Sequence, residues 1–216
     1  MSFRYLVPTA LMSFIVSVGT VAVPSAQKVS ESIRDLVLGL AQSGRPVGAI
    51  LPVTDFEIYG YKESRPLRAG EQQLTLFAAQ HPHFVVERQG QAARVIHRET
   101  PRALIELLNR PRYLRDPAKM SASAAVVHVV AALIREQPAD GVLGSGQTPS
   151  RVCRIGEPVA LNLGESSALQ LLDSIVAQVH GLAWFVLYDP SKDLENIELG
   201  LWCPDGMCFR VGVPLS

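Results

Sequence analysis

Residues 157–188, EPVALNLGESSALQLLDSIVAQVHGLAWFVLY, constrain the fold of this chain more than any other stretch. Val159, Leu161 and Leu163 alternate with Ala160 and Asn162, the period of a strand that buries one face. Gly164 breaks that run. Ser167 then stands three residues before Gln170, the spacing of a capping box, in which a hydroxyl and an amide side chain satisfy backbone N–H groups left open at a helix start. Leu169, Leu172, Val176 and Val179, with Leu171 and Ile175 beside them, form one broad apolar stripe, and Gln170, Asp173, Ser174 and Gln178 fall opposite. Such a helix lies on a sheet with its other face wet. Gly181 suits the left-handed residue past a helix end. The run Leu182 to Tyr188 is apolar on both alternating sets, as in a strand covered on both sides. Together these segments read as strand, helix, strand.

The order P-V-A-L-N-L, a few small or polar residues, A-L-x-L-L-D-x-I-V-A-Q, a glycine turn and an apolar strand resembles the short N-terminal domains of secretins and TonB-dependent receptors. The resemblance covers Glu157 to Tyr188 and rests on hydrophobic pattern. It implies a small α/β sandwich that binds or assembles with other envelope proteins and is not an enzyme.

The N-terminus points to the same compartment. Arg4 precedes a largely apolar run from Leu6 to Val18, and small residues lead on to Pro24-Ser25-Ala26. This is the three-part form of a secretory signal peptide over residues 1–26, and the apolar run is short for a membrane span. Cleavage is expected after Ala22 or Ala26, leaving no transmembrane segment in the mature chain and placing it in the periplasm or outside the cell. An uncleaved N-terminal anchor is the alternative. Hydrophobic residues at 48% with 19% charged supply a core and exclude a disordered chain. A net charge of zero gives no reason to expect nucleic acid or an acidic membrane as partner.

Along the rest of the chain, Ser30 to Gly44 reads as a short helix with Ile33, Leu36, Val37 and Leu40 inward, and Val47 to Val53 as a strand that Phe56, Ile58 and Tyr59 extend. Lys62 to Gly70 is a charged loop. Leu74, Phe77 and Ala78 lie on a helix ending by Pro82, and His83–Arg88 with Ala92–Arg98 form a hairpin around Gln89-Gly90-Gln91. Thr100 is placed at a helix cap with Pro101 in the first turn and Leu104, Leu107 and Leu108 inward. Pro111 to Pro117 is a basic connection. Ser121 to Glu136 is so apolar that it is either a central helix or part of an oligomer interface. Asp140 to Pro149 is glycine-rich and reads as a linker.

These elements divide the mature chain into an N-terminal α+β unit at 27–138, a linker at 139–150 and a C-terminal β-α-β-hairpin unit at 151–216. The expected fold is α+β, two small helix-on-sheet sandwich units with mixed or mostly antiparallel sheets. Charge separates the halves: Lys62 to Asp116 holds ten basic and six acidic residues, and Asp140 to Arg210 four basic and nine acidic. Ordinary scatter over solvated surfaces accounts for this more simply than docking by complementary charge.

Export gives the three cysteines meaning, because disulfides persist outside the cytosol. Cys203-Pro-Asp-Gly-Met-Cys208 is expected to be a hairpin turn stapled by a Cys203–Cys208 disulfide worth about 2 kcal/mol. That pairing sets Trp202 opposite Phe209 and Leu201 opposite Arg210. Cys153 is either a buried hydrophobe or a link to another chain.

No residues are assigned to catalysis, cofactor binding or metal. His81 and His83 share a strand spacing but lack a third ligand, and a surface loop is the simpler reading. His128 and His97 read as core and strand histidines, and His180 as a helix-end residue favoured by the dipole. Gly144-Ser145-Gly146 lacks the form of a nucleophile turn, and phosphate and dinucleotide loops are missing from the sequence. Asp189, Asp193 and Glu195 lack a calcium-loop signature, and Arg110-Pro-Arg112-Tyr-Leu-Arg115 is brief for phosphate contact. The expected function is a non-enzymatic secreted or periplasmic envelope module that meets a protein partner or itself through a strand edge or apolar patch. A small hydrolase or ligand-binding protein, with a site between the halves around His97, His128 or Ser145, is the rival.

Overall fold

The computed structural model describes residues 33–55, 70–114, 119–134, 156–161, 164–192, 196–204 and 206–214, without the side chains of 113–114 and 206–208. The signal segment 1–26, the extension at Phe56 to Tyr59, the loop from Lys62, and the linker 139–150 lie outside them.

The described elements, in order, are α1 (Ile33–Gln42), β1 (Val47–Pro52), α2 (Glu71–Gln80), β2 (Phe84–Gln89), β3 (Ala92–His97), α3 (Arg102–Asn109), β4 (Arg112–Leu114), β5 (Lys119–Ser121), α4 (Ala122–Ile134), β6 (Pro158–Ala160), β7 (Gly164–Ser166), α5 (Ala168–Gln178), β8 (Ala183–Tyr188), β9 (Asn196–Cys203) and β10 (Gly206–Pro214). The fold is α+β. Its main sheet has six strands in the order β10-β9-β8-β1-β3-β2. The pairs β1–β3 and β1–β8 are parallel and the other pairs antiparallel, so the sheet is mixed and mostly antiparallel.

The two expected units share this sheet instead of holding one each. The N-terminal half supplies β1, β2 and β3, the C-terminal half β8, β9 and β10, and the seam is the parallel pair from Gly48↔Trp184 to Pro52↔Tyr188. Helices cover both faces. On one side α3, α4 and α5 pack against Ile50, Ile96, Val186, Leu199 and Val211; on the other α1 and α2 pack against Ala49, Val95, Phe185 and Trp202. Every residue of β1 and β8 is buried, which explains why β8 is apolar on both alternating sets.

Local chemistry sets most of the elements. In α5 the Ser167 hydroxyl accepts from the Gln170 amide at 3.2 Å, and the Gln170 side chain accepts from the Ser167 N–H at 2.8 Å. That is the capping box read from the sequence. β2 and β3 are joined by a two-residue turn, Gln89 pairing with Ala92, and Gly90 at φ 60° takes the conformation that such a turn demands. At α3 the cap position belongs to Pro101 and not to Thr100, whose hydroxyl donates instead to the His97 carbonyl at 2.6 Å.

The strand-helix-strand reading of 157–188 changes in one respect. Its first strand is split: β6 pairs with β5 and β7 with β4, each in a separate two-stranded sheet, so neither lies beside β8. The basic segment after Pro111 contributes β4, and its Arg112 is buried. The Arg112 guanidinium donates to the Ala132 and Leu107 carbonyls near the ends of α4 and α3, where orphan acceptors and the helix dipole favour a cation.

At the seam lies a polar cluster inside the apolar core. Asp173 of α5 accepts from Arg94 of β3 (Nε 3.1 Å, Nη2 2.5 Å) and from the Trp184 indole of β8 (2.8 Å). Between those two strands stands Gly48, the register partner of both Arg94 and Trp184. A Cβ there would lie 2.0 Å from the indole ring, so only glycine lets Trp184 lie across β1. Burial pushes the Asp173 carboxyl above its usual range, against the pull of Arg94 and Trp184.

Two stability predictions follow from this cluster. G48A overpacks the seam and should lower unfolding free energy by about 1–3 kcal/mol in urea titrations; an unchanged midpoint would show that Trp184 lies elsewhere. D173L should cost about 3–5 kcal/mol by leaving Arg94 buried and unpaired, and adding R94M should recover most of that loss. Equal losses in the single and double variants would rule out a coupled pair.

Candidate functional site

The sequence left two places to look, a site between the halves and a free edge, and the sheet supplies both. Open α/β sheets offer ligands a crevice beyond the carboxyl ends of their parallel strands. Here those ends are Pro52 of β1, His97 of β3 and Tyr188 of β8. A cavity of about 220 Å³ opens beside them, lined by Val53, Leu187, Tyr188, Asp189, Lys192, Asn196 and Glu198.

The polar groups around it are turned toward one another. His97 Nδ1 accepts from the Glu99 amide at 3.3 Å, and its Nε2 faces Asp55 Oδ2 at 3.4 Å, an oxygen that is buried without a hydrogen-bond partner. The Tyr188 hydroxyl bonds to Thr100, which donates onward to the His97 carbonyl. Burial raises the Tyr188 phenol above its usual range, and Asp55 and Glu99 add to that rise. Asp189 accepts the Ser191 hydroxyl at 2.6 Å and the Ser191 amide at 2.9 Å, which hold its carboxyl below the usual range, and Lys192 stands 3.6 Å away. Glu198 is paired with Arg210 at 3.2 Å. Acid–base catalysis needs a base within reach of substrate. The His97–Asp55 pair does not line the cavity.

The remaining candidates do not converge on this crevice. His128 is half-buried on α4 and His180 is exposed after α5. His81 and His83 lie beside β2, with ring centroids 5.9 Å apart, and His83 is 5.8 Å from His97. Among the described residues no group of three His, Cys, Asp or Glu can hold a metal ion. Ser145, Cys153, Asp193, Glu195 and Arg115 lie outside the described residues.

The second place is the β9–β10 end of the sheet. Gly206 faces Cys203 there, and the register shifts between Met207 and Phe209. This places Leu201 opposite Phe209 and Gly200 opposite Arg210, which corrects the expected register of Trp202 with Phe209 and Leu201 with Arg210. The arginine is thereby spared an apolar partner. Cys203 is buried, and the side chain of Cys208 lies outside the described residues.

β10 ends the sheet. It runs for nine residues, pairs with β9 on one side, and has no strand on its other side among the described residues. Phe209, Val211 and Val213 face the core under α4, while Gly212 is exposed. The opposite edge, β2, is shorter and guarded: Glu87, Arg88 and Gln89 are exposed, and Glu71 of α2 accepts from both Arg88 and Arg45. Charge on an edge discourages strand addition. Within β10 the one charged residue is Arg210, already paired to Glu198.

No protein-family model, curated protein or solved structure matches this chain.

The histidine cluster beside β2 gives a pH prediction. Burial, with His83 next, holds His81 below its usual 6.5, while its ring stacks on Phe77 at 4.5 Å. On acidification the unfolded chain takes the proton first, so this group withdraws stability as pH falls from about 6.5 through the folded value. H81F keeps the stacking and removes the titration. Its urea midpoint should match the wild type at pH 8 and exceed it at pH 5; parallel profiles would show that His81 carries no such linkage.

Proposed function

We propose that this chain is a non-enzymatic, secreted or periplasmic interaction module of the cell envelope, and that it meets its partner along the free edge of β10. One observation carries this reading: a nine-residue edge strand with a single charged side chain. An unpaired row of N–H and C=O groups accepts another strand, so main-chain hydrogen bonds give affinity and the flanking side chains give selectivity. The signal-like first 26 residues, the turn cysteines Cys203 and Cys208 and the resemblance of Glu157–Tyr188 to envelope modules all agree with it.

The cavity beside Tyr188 supports a second reading, a small-ligand site between the halves. It ranks behind the first because Asp189 at its mouth is held by Ser191 and the His97–Asp55 pair does not line it, whereas the β10 edge lacks a partner among the described residues.

A photo-crosslinking residue at exposed Gly212 tests the choice, with one at Lys192 beside the cavity as control. Illumination of producing cells should give protein adducts at Gly212 and none at Lys192. Failure to form any adduct at Gly212 removes the edge reading. Export is tested on the same material by intact mass. A chain beginning at Val23 or Gln27, with one of its three thiols alkylated without reductant, is the expected product. A chain still carrying Met1 and three alkylated thiols would overturn the compartment.

A further inference from the structure

We infer that the partner on the β10 edge is a second copy of this chain, the two β10 strands pairing antiparallel about a two-fold axis through Val211. This rests on the edge reading above and names its occupant. A two-fold axis lets one patch serve both subunits, so each pairing occurs twice. Centred on Val211, the register sets Phe209 opposite Val213 of the second copy and Arg210 opposite its Gly212.

Each of those pairings is favourable. Phe209, Val211 and Val213 all belong to the helix-side core, so an aromatic–β-branched pair on each flank of Val211 extends that apolar row across the joint. On the other face, nothing lies within 4 Å of where a Cβ on Gly212 would stand, which leaves room for the incoming Arg210 side chain. Neighbouring registers are worse. Centring on Arg210 brings two guanidinium groups face to face, and like charges directly opposite are unfavourable. Centring on Gly212 pairs Arg210 with Pro214 and leaves Phe209 out, whereas centring on Val211 pairs Cys208 with Pro214. The helix over this end of the sheet, α4, packs on β9 and β10 and exposes Ala124 and Val127. Glu198, 3.2 Å from Arg210 in the same chain, offsets the guanidinium so that the paired strands do not gather positive charge.

The test is sedimentation equilibrium of the mature chain and of two variants, G212E and G212R. Gly212 is exposed with no positive φ and faces Glu198 of β9 in its own chain. G212E therefore sets two carboxylates side by side until Arg210 of the second copy arrives, whereas G212R gains a partner within the chain; circular dichroism verifies the fold. The expected result is a dimer that G212E tightens about tenfold, by placing a carboxylate opposite Arg210 twice, and G212R weakens about tenfold. Raised salt should shrink both differences. Hydrogen exchange on the unaltered chain is a readout that needs no variant: β10 amides should slow as protein concentration rises. A dimer with one Kd for all three proteins overturns the proposal, since association would then use another face. A monomer whose Gly212 crosslinks to a different protein overturns the second copy and leaves the edge reading standing. A monomer with no adduct at Gly212 overturns both.

Discussion

Asp173 is the point on which the two halves of the chain agree. Its carboxylate is shared by an arginine from β3 and an indole from β8, strands that do not touch because β1 runs between them. Arg94 is 3% exposed. A guanidinium at that depth costs several kcal/mol unless an anion meets it, and the anion comes from a helix 79 residues further along the chain. The cluster is therefore a registration device more than a source of net stability. Sliding β8 by one residue against β1 would send Trp184 to the other face of the sheet and leave Asp173 one partner short.

From that lock follow the shared sheet and its two unlike edges. β1 lies between β3 and β8 with helices over both of its faces, and this position fixes the N-terminal hairpin on one side of the seam and the C-terminal hairpin on the other. The N-terminal hairpin ends at β2, where Glu71 collects Arg45 and Arg88 and the last residues are charged or polar. The C-terminal hairpin ends at β10, where alternation serves α4 on one face and glycine and arginine occupy the other. Thus the less protected edge is the one made by the C-terminal half.

What was legible in the sequence was what neighbours along the chain decide. The α5 capping box, the β2–β3 turn and the apolar β8 all rest on contacts within a few residues or on simple periodicity, and they appear as read. What was hidden depended on partners far away. The alternation at Val159 to Leu163 is real, yet it serves two short strands paired with β5 and β4, because pairing is chosen by tertiary register and not by the strand itself. Arg94 and Arg112 fall in a half whose excess of basic residues reads as scatter over a solvated surface, and both are buried, held by acceptors far along the chain or on neighbouring helices. Gly48 gave no signal at all, since its reason is a ring contributed 136 positions later. Cys203 and Cys208 marked the hairpin correctly, but Cys203 faces Gly206 and not Cys208 in the register.

The same distinction separates the crevice from the edge as places where binding energy is to be found. Around the crevice, Thr100, Asp189 and Ser191 already hold hydrogen bonds, and a ligand that meets those groups must exchange each bond it makes for one it breaks. Such exchange yields little net free energy. Along the outer side of β10 the backbone groups face no strand among the described residues. A strand arriving there replaces water on one row of amides and at the same time covers apolar surface at the end of the α4 layer, adding hydrophobic gain to each main-chain bond. A chain whose polar side chains are largely spent on holding its halves together has its backbone edge left as the means of recognition.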